Sequence, residues 1–201
     1  SVTAYEVGLK SDFADGRVRA NVAAFFYQYD DLQFQATDPD VFRGGVANIP
    51  ESEMKGVEAE IIGILSDELT LDLKAAVLDS EVTQDFETLD NVKANSSIPA
   101  PPWCSPVGYL GFCYEDLRYA NRENVKGNEL AKSPDLTASL RLQHQTSLST
   151  GHTLTSTIDY VYRGAFQQRV INHPLIDTVE DYNLLNLTAG IDSSSGSWGF
   201  D

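Results

Sequence analysis

Long apolar runs are missing from this 201-residue sequence. No stretch of about 18 consecutive apolar residues occurs, so the sequence predicts no transmembrane helix. The chain opens directly into alternating residues, Ser1-Val-Thr-Ala-Tyr-Glu6, without the charged and apolar regions of a signal peptide. We therefore expect any exported form of it to be a mature or partial chain.

Basic residues are also scarce. Lys and Arg together number 14 against 30 Asp and Glu, which gives a formal net charge of −16 at pH 7. A surface that binds nucleic-acid phosphates should be basic, so we expect no nucleic-acid partner. The acidity fits either solvated loops or the attraction of cations to those loops.

Catalytic and metal-binding motifs are absent from the sequence. There is no G-x-S-x-G nucleophile elbow, no H-E-x-x-H helix motif and no glycine-rich phosphate loop. The three histidines, His144, His152 and His173, are scattered along the chain and are predicted to be surface or strand residues. The sequence therefore predicts no enzyme, no cofactor and no metal site.

Only two cysteines are present, Cys104 and Cys113, and both lie in a segment rich in proline and aromatic residues, 99–114. Two cysteines so close in one loop favour a local disulfide and an oxidising compartment. The alternative is a pair of free thiols in a cytosolic loop.

Alternation of polar and apolar residues is what the sequence has in abundance. Every second residue from Leu69 to Val77 is apolar, and Val57–Leu65 alternates in a similar way just before it. A period of two places alternate side chains on one face of a strand. We predict seven strands and the start of an eighth: Thr3–Lys10, Arg17–Gln35, Val57–Leu65, Leu69–Ser80, Asp135–Gln145, Thr153–Gln167, Tyr182–Asp192, and a further strand from Trp198.

The predicted connections alternate between short and long. Short ones are predicted at 11–16, 66–68, 147–151 and 193–196, and long loops at about 36–52, 86–133 and 170–180. In an up-and-down meander, successive connections fall at opposite ends, so all short turns lie at one end. Bacterial outer-membrane barrels have this asymmetry, with the long loops outside the cell.

The predicted fold class is all-β: an antiparallel up-and-down transmembrane β-barrel, present in part, with about seven to eight strands of a larger barrel. A soluble β-sandwich module or a passive porin would share the alternation, but the long strands favour the barrel over the sandwich. The apolar face would meet lipid, and the charged face would line a wet lumen. The residues predicted to face the lumen are Glu58, Glu60, Asp72, Lys74, Arg141, Asp159 and Arg163.

Aromatic residues cluster near the predicted strand ends. Such positions fit the girdles that mark the two membrane interfaces of a barrel. The candidates are Phe26, Tyr27, Tyr160, Tyr162, Tyr182 and Trp198.

Three stretches resemble the later barrel strands of TonB-dependent outer-membrane receptors. They are Tyr5–Ser11 with Asp15–Gln33, then Lys55-Gly-Val-Glu-Ala-Glu60, and Tyr182–Ile191 followed by a short turn and Trp198. The resemblance covers nearly the whole chain outside the loops. Members of that family are longer, with an N-terminal plug domain inside a barrel of about 22 strands. We therefore expect residues 1–201 to be a barrel fragment without a plug domain.

The resemblance implies a location in the bacterial outer membrane and the import of a scarce nutrient. A ferric siderophore is the first expectation, with cobalamin or glycans as alternatives. The implied partners are outer-membrane lipid, the rest of the receptor with its plug, and the TonB complex. Extracellular loop aromatics would stack on the ligand or, alternatively, pack on one another. The candidates are Trp103, Tyr109, Phe112 and Tyr114.

Overall fold

The computed structural model describes residues 1–37, 44–90, 92, 122–149, 151–193 and 199–200. Within these ranges nearly all regular structure is β-strand. The strands are β1 (Val2–Phe13), β2 (Val18–Thr37), β3 (Gly44–Ser66), β4 (Leu69–Val82), β5 (Glu87–Leu89), β6 (Arg122–Asn124), β7 (Leu136–Ser147), β8 (His152–Arg163), β9 (Phe166–Gln167), β10 (Thr178–Val179), β11 (Tyr182–Ser193) and β12 (Gly199–Phe200).

One eight-stranded sheet contains all the long strands, in the order β1-β2-β3-β4-β7-β8-β11-β12. Every neighbouring pair in it is antiparallel, and each long strand lies beside the next one along the chain. Strands β5 with β6, and β9 with β10, form two small separate sheets. The prediction of a partial, antiparallel up-and-down sheet is confirmed.

The two described hairpin turns are short, and the residues of the first include a glycine where the backbone is left-handed. Between β1 and β2, Ala14, Asp15 and Gly16 have φ values of 52°, 55° and 85°, a left-handed path that only Gly takes without strain. Between β3 and β4, Ser66 pairs with Leu69, so only two residues form the hairpin loop. Both turns lie at the same end of the sheet.

Strand β2, with 20 residues, agrees closely with the predicted Arg17–Gln35, whereas β3, with 23 residues, is much longer than the predicted Val57–Leu65. The predicted loop 36–52 is much shorter in the structure, because β3 begins at Gly44 and pairs with the upper part of β2. The register skips Asp31, which has a φ of 57°, and Pro50, and pairing continues on both sides of them. The predicted strand Thr153–Gln167 is also broken, because Gly164 separates β8 from β9.

The two faces of the sheet differ sharply in chemistry. The register aligns apolar residues in rows on one face, where side chains such as Val7 and Leu187 are 72% and 71% exposed. We call this the apolar face; one of its rows is Val7, Ala24, Val57, Val77 and Leu136. The opposite side, which we call the charged face, has the row Gly8, Ala23, Glu58, Ala76, Thr137 and Arg163.

Buried apolar side chains collect at the end of the sheet away from the two hairpin turns. The cluster comprises Ile49, Val82, Val125, Leu130 and Val170, with Leu32, Phe34, Met54, Phe86 and Ile171 packed against it. Two backbone hydrogen bonds join residues 127 and 128 to the end of β4. They run from Val82 N–H to Asn128 O and from Gly127 N–H to Val82 O. We call the described segments around this cluster, 83–90, 122–134 and 164–181, the cap.

Gly56 on β3 makes the closest approach within the sheet. A Cβ atom there would lie 2.5 Å from the Val77 carbonyl oxygen and 2.7 Å from Cζ of the Phe25 ring. Phe25 is the cross-strand partner of Gly56, so the ring lies over the space that a side chain would take. Gly63, on the same strand, would meet only Leu65 Cδ2, at 3.6 Å.

We predict that Gly56→Ala destabilises the sheet by about 1–3 kcal/mol, the usual cost of overpacking, because the Val77 carbonyl is backbone and has little freedom to move. Gly63→Ala is the matched control and should have little effect. The measurement is the urea midpoint of unfolding of the purified protein in detergent. Equal midpoints for the two variants would contradict the close packing at Gly56.

Candidate functional site

A hollow of about 710 Å³ lies on the charged face and extends from β1 to β11. The charged and polar side chains in its lining come from successive strands at matching register positions. They include Lys10, Asn21, Glu58, Glu60, Lys74, Thr137, Ser139, Arg163 and Tyr182.

Most charges on this face pair with charges on the neighbouring strand. Arg19 contacts Asp12 at 2.9 Å, and Arg141 contacts Asp159 at 2.6 Å. A third cluster is centred on Lys74 Nζ, which lies 3.0 Å from a Glu60 oxygen and 3.6 Å from an Asp72 oxygen; Asn21 donates to Glu60 at 2.8 Å. The face therefore carries full charges while remaining nearly balanced.

The structure brings together the residues that the sequence predicts to face the lumen. Glu58, Glu60, Lys74 and Arg163 line the hollow itself. The remaining three, Asp72, Arg141 and Asp159, form the adjacent row of the same face through direct cross-strand pairing. The predicted loop residues Trp103, Tyr109, Phe112 and Tyr114, and the predicted disulfide Cys104–Cys113, lie outside the described residues.

Three aromatic rings follow one another along β2 on the charged face. The Phe25 and Tyr27 rings are stacked with centroids 5.0 Å apart, and Tyr29 meets Tyr27 edge to face at 6.4 Å. The Tyr27 hydroxyl donates to the Glu6 carboxylate on β1. The prediction that Tyr27 belongs to an interfacial girdle is therefore wrong, as it is for Tyr182, which shares a row with Arg163.

Two cap segments, around residues 128 and 172, are joined by reciprocal amide hydrogen bonds. Asn128 donates through Nδ2 to the carbonyl oxygens of Val170 and Ile171, at 2.9 and 3.0 Å. In return, Asn172 Oδ1 accepts from Glu129 N–H at 2.7 Å, and Asn172 Nδ2 donates to Glu129 O at 3.1 Å. Asn172 has a φ of 54°, a conformation that Asn tolerates better than most residues.

Arg169 forms the electrostatic centre of the cap. Its Nε and Nη2 donate to the two carboxylate oxygens of Asp177, at 2.6 and 3.1 Å, and Nη1 donates to Asp90 at 3.2 Å. Both aspartates are almost completely buried. Burial alone would lower the pKa of Arg169, but the hydrogen bonds and charges of Asp177 and Asp90 outweigh it and raise that pKa. Arg169 is therefore always charged, and its charge is neutralised by its partners.

A second hollow, of about 750 Å³, lies between the cap and the upper ends of β2 and β3. Its lining is mainly apolar, with a few polar groups. The apolar part includes Leu32, Phe34, Ile49, Met54, Leu130 and Val170, and the polar part includes Gln33, Gln35, Lys132, Gln168 and Arg169.

Sequence reasoning missed the cap and this second hollow. Asp90 and Asp177 lie in two predicted loops, Arg169 lies just before the second, and none of the three belongs to a local motif. Asn128 and Asn172 are residues that favour turns, so the sequence could have predicted an ordered turn at each. Nothing in the sequence indicates that the two turns contact each other. Among the described residues, no group of three or more His, Cys, Asp or Glu is placed to hold a metal ion. No described helix is long and apolar enough to cross a membrane.

The sheet has one exposed apolar face, one face of paired charges and a cap at one end. These features define a segment of a transmembrane β-barrel wall. The sequence matches the family described as TonB dependent receptor-like, beta-barrel, over residues 1–199. The chain belongs to this family, whose members are outer-membrane transporters.

Two solved structures share this fold. One is the ferric yersiniabactin uptake receptor FyuA from Yersinia pestis, with a TM-score of 0.65, and the other is BauA, the ferric preacinetobactin receptor from Acinetobacter baumannii, with a TM-score of 0.61. Each is 16% identical to this chain and matches 96% of it, but the chain spans only 23% of either receptor. No curated protein sequence matches the chain.

We predict that Arg169→Gln loosens the cap by about 3–5 kcal/mol, because it removes the positive charge that contacts the buried carboxylates of Asp177 and Asp90. The matched control is Lys126→Gln, which removes an exposed pair with Asp85 at 3.3 Å that is worth at most about 1 kcal/mol. Hydrogen exchange in residues 128–132 and 166–178 measures the effect. Unchanged protection in Arg169→Gln would show that this ion-pair cluster does not hold the cap together.

Glu129 provides a pH-dependent prediction. Burial, and then the nearby charges of Asp135 and Asp79, raise the pKa of its carboxyl above the ordinary value. A raised carboxyl pKa favours the folded state while the group is protonated, and this contribution is lost as the pH rises through the folded-state pKa. Glu129→Gln should therefore stabilise the cap at pH 7 but make little difference at pH 4, because Asn172 contacts only the Glu129 backbone. Thermal unfolding of both proteins at the two pH values measures this, and an equal gain at both would contradict the prediction.

Proposed function

We propose that this chain is part of the wall of an outer-membrane receptor that imports a ferric siderophore. The observation that carries the proposal is the separation of an exposed apolar face from a face of paired charges across seven long strands, in a member of the TonB-dependent receptor family. Both neighbouring structures are named as receptors for ferric siderophores, which supports this substrate class over cobalamin or glycans.

The apolar face has the height that a membrane-spanning wall needs. On β1 it runs from Tyr5 to Phe13, and the next row above Tyr5 is entirely polar: Thr3, Gln28, Glu53 and Glu81. Eight residue steps cover roughly 27 Å along a strand, or roughly 20 Å at a tilt of about 40°. This is close to the apolar band of about 25 Å in outer-membrane barrels. Tyr5 and Phe26, whose ring centroids are 6.4 Å apart, mark its upper boundary.

The charged face becomes the wall of the lumen in this proposal. Paired charges such as Arg141–Asp159 keep the wall hydrated without a strong field of one sign. Glu58 and Lys10 form no salt bridge with other described residues and are exposed on this face. We propose that they contact the plug domain of the complete receptor, which in turn would engage the TonB complex.

The cap lies at the opposite end from the short turns and would form the extracellular side of the receptor. Its joined segments would present the second hollow to a ligand that arrives from outside the cell. The predicted stacking residues Trp103, Tyr109, Phe112 and Tyr114, and the predicted disulfide Cys104–Cys113, would belong to the same extracellular side. The family's transport role requires no catalytic group here, and we propose none.

The test is uptake in living cells. Deleting the gene of the receptor that contains this segment is expected to abolish growth under iron limitation on the siderophore it recognises, and to abolish uptake of radiolabelled iron in that complex. Restoring the gene in a strain without TonB should not restore uptake, because this transport is energised.

Uptake that continues without TonB, together with steady ion conductance of the purified protein in planar bilayers, would contradict the receptor proposal and favour a passive porin. Purified protein that stays soluble without detergent would contradict the membrane location itself. Energised uptake of cobalamin or a glycan, in place of a ferric siderophore, would correct the substrate class alone.

A further inference from the structure

The second hollow differs in charge from the rest of the molecule. Acidic residues outnumber basic ones by 30 to 14 in the chain, yet the described residues that line this hollow include two cations and no carboxylate. The cations are Lys132 and Arg169. Its size, about 750 Å³, lies within the range of roughly 300–1,000 Å³ for small-molecule pockets.

The two cations differ in their availability to a ligand. Arg169 already donates three hydrogen bonds to Asp177 and Asp90, which use its charge within the cap. Lys132 is exposed and forms no salt bridge with a described carboxylate. An anion that enters the hollow would therefore meet Lys132 as its counter-charge.

The backbone holds Lys132 in a fixed and costly conformation. Its φ is 63°, in the left-handed region that residues with a side chain rarely adopt. The Lys132 N–H donates to Gln167 O at 2.7 Å, and the residues on either side of this position include the buried Leu130 and Ser133. Glycine would suit this backbone better, and the lysine side chain forms no hydrogen bond or salt bridge with the described residues. Such a conformation in an ordered segment points to a functional requirement for the side chain.

We propose that Lys132 is the anion-binding group of this hollow, and that the hollow takes a ligand with an anionic group beside an apolar or aromatic body. The apolar body would pack against Phe34, Met54 and Leu130, which line the same space. Gln33, Gln35 and Gln168 would add neutral hydrogen bonds. This inference rests on the proposed receptor function, because it assigns the hollow to the imported ligand.

The test uses a matched pair of probes, 2-naphthoate and its neutral isostere 2-naphthamide, with the full-length receptor in detergent micelles. Isothermal titration measures binding to the wild type and to Lys132→Gln and Lys132→Arg. We expect Lys132→Gln to weaken 2-naphthoate binding by at least about tenfold, the cost of a lost charge-assisted hydrogen bond, and to leave 2-naphthamide binding nearly unchanged. Lys132→Arg should retain most of the affinity, because it keeps the charge.

Two further variants separate binding from structure. Lys126→Gln removes an exposed lysine from the same segment outside the hollow, and it should leave the binding of both probes unchanged. Lys132→Gly relieves the left-handed backbone, so it should leave the thermal unfolding temperature of the receptor equal or higher while 2-naphthoate binding is lost. If the lysine only stabilised the cap, Lys132→Gly would lower the thermal unfolding temperature and leave 2-naphthoate binding unchanged.

Three outcomes would overturn the inference: equal affinity of the wild type for both probes, no loss of 2-naphthoate binding in Lys132→Gln, or no detectable binding of either probe. Partitioning of the probes into micelles is common to all variants and cancels in the comparison. TonB-dependent uptake is measured separately in cells. Failure of uptake with intact probe binding would overturn the proposed function. Intact uptake without the expected probe binding would overturn only the role of Lys132.

Discussion

The hydrogen-bonding requirement of backbone amides in lipid governs this structure. Water cannot satisfy an N–H or C=O group inside a hydrocarbon layer, so a strand there must pair along its full length with its neighbours. Strands β1 to β4, β7, β8 and β11 do this through long antiparallel registers, which are interrupted at Asp31 and Pro50 and between Ile64 and Ser66. Once the registers are set, alternate side chains must face opposite sides. The separation of apolar and charged faces follows directly from this pairing.

Charge has two different uses in the molecule. On the sheet, pairs such as Arg19–Asp12 join exposed side chains, and exposed pairs contribute at most about 1 kcal/mol each. They keep a hydrated wall nearly balanced and add little to stability. In the cap, Arg169 instead contacts two buried carboxylates, and its loss removes a positive charge that stabilises both of them. The same residue types are therefore dispensable on the wall and essential in the cap.

The strands and their faces could be predicted from sequence, because alternation is a local property and tight turns have characteristic residues. The end of the loop 36–52 could not, since Pro50 looks like a turn residue although β3 already begins at Gly44. Alternation along β2 and β11 already places Tyr27 and Tyr182 on the charged face, so the girdle prediction for them is wrong because it considers only their position along the strand. The Arg169–Asp90 contact joins residues 79 positions apart, and Lys132 has no distinguishing neighbours in sequence. The Arg169–Asp90 contact and the position of Lys132 both depend on how loops that are distant in sequence pack together. Local sequence patterns do not predict that packing.

The origins of the buried cluster in the cap have a consequence for how the protein assembles. Ile49 and Val82 lie on the neighbouring strands β3 and β4, whereas Val125, Leu130 and Val170 come from segments 40 or more residues further along the chain. Contacts between distant positions close large loops, and they form late because the chain entropy must be lost before they are made. We therefore expect the cap to become ordered after the strands that carry it have paired, so that an ordered cap would mark a wall already in register.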